Sequence, residues 1–137
     1  MKKTLIIGKN SFLASKFRLL KNSKIISHKS LNKVSFENFD NIILLSMPNS
    51  YKKKISNLKF EKKIIKRSKN KRFIYFSTSR VYPNILNNKE SFVKPQNIYA
   101  RNKIKIEKEI KKNLDDYLII RPPIIFNKKK YSKGNFF

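Results

Sequence analysis

The chain predicts an α/β fold: a mostly parallel sheet of about five strands with helices on both faces. Three observations predict it. Five short β-branched or aromatic runs punctuate the chain, Thr4-Leu5-Ile6-Ile7, Lys24-Ile25-Ile26-Ser27, Asn41-Ile42-Ile43-Leu44-Leu45, Phe73-Ile74-Tyr75-Phe76 and Tyr117-Leu118-Ile119-Ile120, each the length of a buried strand. Polar, lysine-rich stretches separate them, and several carry helical apolar spacing. The first run ends in Gly8, one of only two glycines, and passes through a tight turn into a helix-like segment.

At 137 residues the chain makes one domain with a real core. The expected division is an α/β domain over residues 1–126 and a truncated, lysine-rich tail over residues 127–137. No cysteine is present, which excludes disulfides and thiolate chemistry and fits a reducing cytoplasm. No apolar run nears the ~20 residues that cross a bilayer. The apolar part of the opening segment halts at Gly8 after four residues, too short for a secretory signal, so a cytoplasmic protein without membrane association is expected. The formal net charge is +26, which would ordinarily point to a polyanionic partner. Here lysines are spread along the whole chain, arginine is occasional, and Lys, Asn, Ile and Phe are abundant together, the joint bias that A+T-rich codons produce. The charge is therefore read as compositional, with nucleic-acid binding only nonspecific.

Strand, turn and helix follow one another at the amino terminus. Gly8, Ser11 and Ala14 stand at the three small positions that a dinucleotide-binding turn needs, one for the turn, one for close approach of a pyrophosphate, one for helix-on-strand packing; two of the three are not glycine. Phe12 to Leu20 carries helical spacing. About twenty residues past such a turn an acidic side chain would take the ribose 2′-hydroxyl. His28 and Lys29 stand near there instead, and their charge suits a 2′-phosphate, tilting the expected cofactor towards NADP over NAD. His28, the only histidine, is read as a loop residue and not as a catalyst. Residues 31–39 are too few for a full crossover and strand, so this unit is expected to be abbreviated. The third apolar run ends at Ser46 and enters Met47-Pro48. Residues 49–70 then form an amphipathic segment with Ile55, Leu58, Ile64 and Ile65 facing the core, broken or bent near Leu58-Lys59-Phe60.

The chemistry concentrates between Lys71 and Lys103. A buried strand delivers Ser77 and Thr78 to the carboxyl edge of the sheet, and Tyr99 and Lys103, four apart on a helix, point the same way. An ammonium beside a phenol favours the phenolate, lowering the tyrosine's pKa from about 10 so that it can exchange a proton with an alcohol or carbonyl. With six tyrosines and 34 Lys and Arg residues the pair carries no weight alone. Its weight comes from order: strand, Ser77-Thr78-x-x-Val81-Tyr82, a loop with Glu90 and Pro95, Tyr99-x-x-x-Lys103 on a helix, and a last strand ending Arg121-Pro122-Pro123.

That order resembles the short-chain dehydrogenase/reductase superfamily, in its extended branch of NAD(P)-dependent sugar-nucleotide epimerases, dehydratases and reductases. The resemblance implies a Rossmann-like domain. It implies that Thr78 hydrogen-bonds the substrate oxygen, Tyr99 is the general acid/base, and Lys103 holds the nicotinamide ribose and depresses the tyrosine's pKa. Gly8, Asn10, Ser11, Phe12, Leu13, His28, Lys29, Ser46, Tyr99, Lys103 and Pro122 make up the implied cofactor-binding set, and no metal is expected. Ser79-Arg80 replaces the Asp-Glu pair of the dehydratases, which disfavours that reaction. The resemblance covers the cofactor-binding half of such enzymes, so the carboxyl-terminal substrate domain is expected to be absent, supplied by a missing half or by a second polypeptide. The leading expectation is an oxidoreductase or epimerase of nucleotide-activated sugars. Two others stand beside it: a dinucleotide-binding module without catalysis, and a basic nucleic-acid-associated protein.

Overall fold

The computed structural model describes residues 1–45, 47–83 and 88–123. Ser46, Phe126 and the tail expected over residues 127–137 lie outside the described residues. Five strands, β1 (Thr4–Ile7), β2 (Ser23–Ile26), β3 (Asn41–Leu44), β4 (Arg72–Phe76) and β5 (Tyr117–Ile120), form one all-parallel sheet in the order β2-β1-β3-β4-β5. The register is simple: Thr4 lies beside both Ser23 and Asn41, Asn41 beside Arg72, and Phe73 beside Tyr117. The chain steps from β1 to β2 in one direction and from β3 to β5 in the other. At the carboxyl ends of β1 and β3 the crossovers diverge, which leaves a crevice there.

Alternation along the strands sorts the core into two faces. Leu5, Ile7, Ile42, Leu44, Phe73 and Tyr75 point to one of them, and all are buried. Helices α2 (Lys59–Arg67) and α3 (Ile98–Asn113) close this face with Ile64, Ile65, Ile106 and Ile110. The abbreviated unit takes its place here too. Residues 28–38 form two 3₁₀ turns that bury Leu31 and Phe36, and the Arg67 guanidinium ties them to α2, donating to the carbonyls of Leu31 at 2.9 Å and of Val34 while lying 4.0 Å over the Phe36 ring. The opposite face carries Ile6, Ile43, Ile74 and Phe76. Helix α1 (Ala14–Phe17) reaches it, with Phe17 meeting Phe76 edge-on at 5.9 Å. Towards β5 this face opens, and Leu118 is 51% exposed.

Two expectations need correction. The helix expected from Phe12 to Leu20 is a single turn, and Leu19 and Leu20 are exposed. Its N-cap, Leu13, makes no side-chain cap and its first turn holds no acidic residue, so little holds a longer helix together. In the segment 49–70 the break does fall at Leu58, which is left-handed with φ 60°, but Ile55 does not face the core and is exposed. Asn49–Lys52 makes one short 3₁₀ turn, and from there to Leu58 the backbone does not continue as a helix and is held by Asn102. Its Oδ1 accepts from the Ser56 N–H at 2.8 Å, and its Nδ2 donates to the carbonyls of Tyr51 and Lys54 at 3.0 and 2.9 Å. Side-chain partners at three backbone groups remove the incentive to coil.

Candidate functional site

The crevice at the carboxyl ends of β1 and β3 is a cleft of about 490 Å³. Gly8 opens it, with φ 128°, a backbone angle that a Cβ would resist. The turn closes through the Ser11 N–H to the Gly8 carbonyl at 2.8 Å, and Ala14 is buried where a larger side chain would push the chain off the sheet. Gly8 and Lys9 both donate N–H groups to the Ile26 carbonyl, at 2.9 and 3.0 Å. The N–H groups of Asn10 and Phe12 have no acceptor among the described residues, and Asn10 lines the cleft. From the β2 side come Ser27 and His28; from the β3 side Leu45, Met47, Pro48, Asn49 and Lys52; from α3 Tyr99 and Lys103.

The cleft thus brings together Gly8, Asn10, Ser11, His28, Tyr99 and Lys103. Phe12, Leu13, Lys29, Thr78 and Pro122 are not among its lining residues. Lys29 and Phe12 are exposed, and Leu13 is half-buried beside the turn. Pro122 follows β5 and accepts the Ser79 N–H on its carbonyl at 3.0 Å. Sequence reasoning did not single out Lys9, Asn49 and Lys52. The signal for Lys9 was its place in the turn, but in so lysine-rich a chain it did not stand out.

Each chemistry-bearing side chain has a local reason for its position. Asn97 caps α3, its Oδ1 accepting the Ala100 N–H at 2.8 Å, and so places Tyr99 in the first turn. Lys103 follows one turn on and is buried, its Nζ donating to the Phe76 carbonyl at 2.8 Å and lying 4.9 Å over the Tyr75 ring and 5.7 Å from that of Tyr99. Thr78 is two residues beyond Phe76, at the same sheet edge. It caps the 3₁₀ turn Ser79–Val81, accepting the Arg80 N–H at 3.3 Å, and Val81 packs on Ala100 and Ile104 of α3. Behind them, the Arg121 guanidinium forks onto Glu107, 3.1 Å from Nε to Oε1 and 2.6 Å from Nη2 to Oε2, while its Nη1 donates to the Tyr82 hydroxyl at 2.9 Å. Ser77 also donates its hydroxyl to Glu107.

The electrostatics differ from the expectation that Lys103 lowers the Tyr99 pKa. Burial pushes the Tyr99 phenol up, and Arg80 opposes this. Burial also pulls Lys103 down to about 8, against the opposing charges of Glu61 and Glu107. A half-buried phenol pays desolvation to ionise, and a buried ammonium on its way to neutrality compensates poorly.

The residues suit a dinucleotide. A glycine turn with spare N–H groups and the cationic side chains of Lys9 and Lys52, with His28 beside them, fit a pyrophosphate-bearing ligand, and no carboxylate among the described residues lines the cleft. No group of three or more His, Cys, Asp or Glu residues among the described residues could hold a metal ion. No helix among them is long and apolar enough to cross a membrane.

This is a Rossmann-like fold, and solved structures share it. Aligned with dTDP-4-dehydrorhamnose reductase from Bacillus anthracis in complex with NADP, the chain gives a TM-score of 0.77 at 18% identity, over 97% of this chain and 57% of that one. With UDP-glucuronic acid 4-epimerase from Bacillus cereus in complex with NAD, the TM-score is 0.69 at 18% identity, covering 93% and 58%. RMD from Pseudomonas aeruginosa complexed with NADPH gives 0.69 at 17%, covering 90% and 53%. The fold of this chain is that of part of each of these three proteins. The chain spans a little over half of their length. No protein-family profile and no curated protein matches it by sequence.

Proposed function

We propose that this chain is the cofactor-binding part of an NAD(P)-dependent oxidoreductase or epimerase acting on a nucleotide-activated sugar. The observation that carries the reading is the common cleft: Tyr99 and Lys103 line the same crevice as the Gly8–Ser11 turn. Neighbours of this fold include a sugar-nucleotide reductase and an epimerase, in complex with NADP and NAD. The bound dinucleotide supplies a nicotinamide carbon that takes or gives a hydride. The rest falls to side chains of this chain. Gly8, Asn10 and Ser11, with Lys9 and Lys52, would hold the pyrophosphate, and His28, in place of an acidic residue that would take a ribose 2′-hydroxyl, would favour NADP over NAD. Lys103 holds the nicotinamide ribose, Thr78 holds the substrate oxygen, and the Tyr99 phenol gives or takes its proton.

Titrating the purified chain with NADPH and NADH tests the reading. NADPH is expected to bind in the micromolar range or tighter and NADH more weakly; no binding of either overturns it. A non-catalytic binding module is the second reading, favoured by a turn in which Ser11 and Ala14 stand at two of the three small positions in place of glycine. Binding without turnover of dTDP- and UDP-sugars, even with the missing portion of a relative supplied in trans, favours the module.

A further inference from the structure

Asn102 is fully buried on α3, one residue before Lys103, and its side chain is wholly engaged by a distant stretch of chain. Oδ1 accepts the Ser56 N–H at 2.8 Å, and Nδ2 donates to the carbonyls of Tyr51 at 3.0 Å and Lys54 at 2.9 Å. One acceptor meets a donor and two donors meet acceptors, so these three backbone groups call for an amide. A carboxylate would set an oxygen against two carbonyls, and an apolar side chain would leave all three groups without a partner. Lys105 of the same helix adds a second hold, its Nζ donating to the Ser56 carbonyl. The stretch has little structure of its own: after the 3₁₀ turn Asn49–Lys52 no helix or strand follows until α2. From inside the same turn the buried Tyr51 donates its hydroxyl to Glu61 of α2 at 2.5 Å.

Both ends of this attachment face the cleft. Pro48, Asn49 and Lys52 line it from the turn, and Tyr99 and Lys103 line it from α3. We propose that Asn102 is a positioning residue for the cleft: its amide clamps the connection between β3 and α2 onto α3, and so sets the wall that carries Lys52 against the wall that carries Tyr99 and Lys103. The consequence for a ligand rests on the cofactor reading above. A dinucleotide that spans the cleft touches both walls, and a wall already held in place need not be ordered when the ligand arrives.

Two measurements on the full chain test this, comparing wild type with Asn102→Ala. The first is amide hydrogen exchange by NMR. The Tyr51 and Lys53 N–H groups bond within the turn, to the carbonyls of Pro48 and Ser50 at 3.0 Å each, and not to Asn102. Their exchange is expected to quicken ~10-fold or more in the variant, because the turn loses its hold; unchanged rates overturn the clamp. The second is NADPH titration under conditions where circular dichroism shows both proteins folded, so that a role in stability alone would leave affinity unmoved. Asn102→Ala is expected to bind NADPH ~10-fold more weakly, and equal affinity overturns the positioning role. A double-mutant cycle with Lys52→Ala locates the effect: the two losses are expected to be less than additive, because both act through the same wall, and full additivity overturns that route. Should Asn102→Ala fail to fold, the wild type decides alone. Linkage is reciprocal, so bound NADPH is expected to slow exchange at Tyr51 and Lys53, and no slowing overturns the proposal. A wild type that never binds NADPH overturns the cofactor reading, while the turn amides of Asn102→Ala, or of Asn102→Ser where the alanine variant is unfolded, still decide the clamp. NADPH binding that is indifferent to Asn102 overturns the positioning role alone.

Discussion

Tyr99 and Lys103 occupy opposed electrostatic positions: burial raises the phenol and lowers the ammonium to about 8. In an enzyme completed by the portion that its neighbours possess, Tyr99→Phe is expected to cut turnover ~10²–10⁴-fold, the ordinary worth of a positioned acid/base. NADPH affinity should stay within about threefold, which fluorescence titration measures; undiminished turnover removes Tyr99 from the mechanism. Lys103 also makes a stability prediction. Its ammonium loses its proton at about 8 in the folded chain and near the ordinary value of 10.5 in the unfolded one. Between those values the unfolded chain binds more protons, so stability rises with pH there, by up to ~3 kcal/mol from this group. Urea unfolding of wild type and Lys103→Met at pH 7.5 and pH 10 should show that increment in the wild type and not in the variant.

Among the elements, the two faces of the sheet carry unequal burdens. Ile110 of α3 is fully buried in the main core, and Ile110→Ala is expected to cost ~2–5 kcal/mol. Leu118 of β5 is 51% exposed on the open face, and Leu118→Ala should cost less than about 1 kcal/mol. Chemical denaturation checks both, and a large loss at Leu118 would mean that the face is covered. The strands were legible because each is a short β-branched or aromatic run whose identity needs no neighbour. Helices were less so: α1 shrank to one turn for want of a cap, and the segment before Leu58 left its helical pattern because Asn102, 46 residues from Ser56, takes over its backbone hydrogen bonds. No local pattern carries a bond of that reach.

For the whole molecule, the net charge of +26 is read as compositional, and salt tests it. Binding to mixed polynucleotide is expected to fall ~10³-fold or more between about 50 and 200 mM salt, as counterion release requires, while NADPH, with few charges, loses far less. Polynucleotide affinity that survives physiological salt would restore the nucleic-acid reading. The strand order places the crossover divergence beside Gly8, so the crevice that holds the Gly8 turn is also where α3 presents Tyr99. Two segments 91 residues apart therefore meet because of parallel topology, not because of any contact written in either segment.

Legibility divides along that line. Periodicity, the single glycine at a strand end and the order of Thr78, Tyr99 and Lys103 sufficed for the fold class, since strand formation and turn chemistry depend on neighbouring residues. Membership of the cleft did not follow: Lys9 and Lys52 entered it, and Lys29 and Pro122 did not, because crossovers and packing decide which loops share an edge. The balance among Glu61, Glu107, Arg121 and Lys103 likewise existed only after folding, since desolvation and distance, which set the charges of buried groups, have no counterpart in an extended chain.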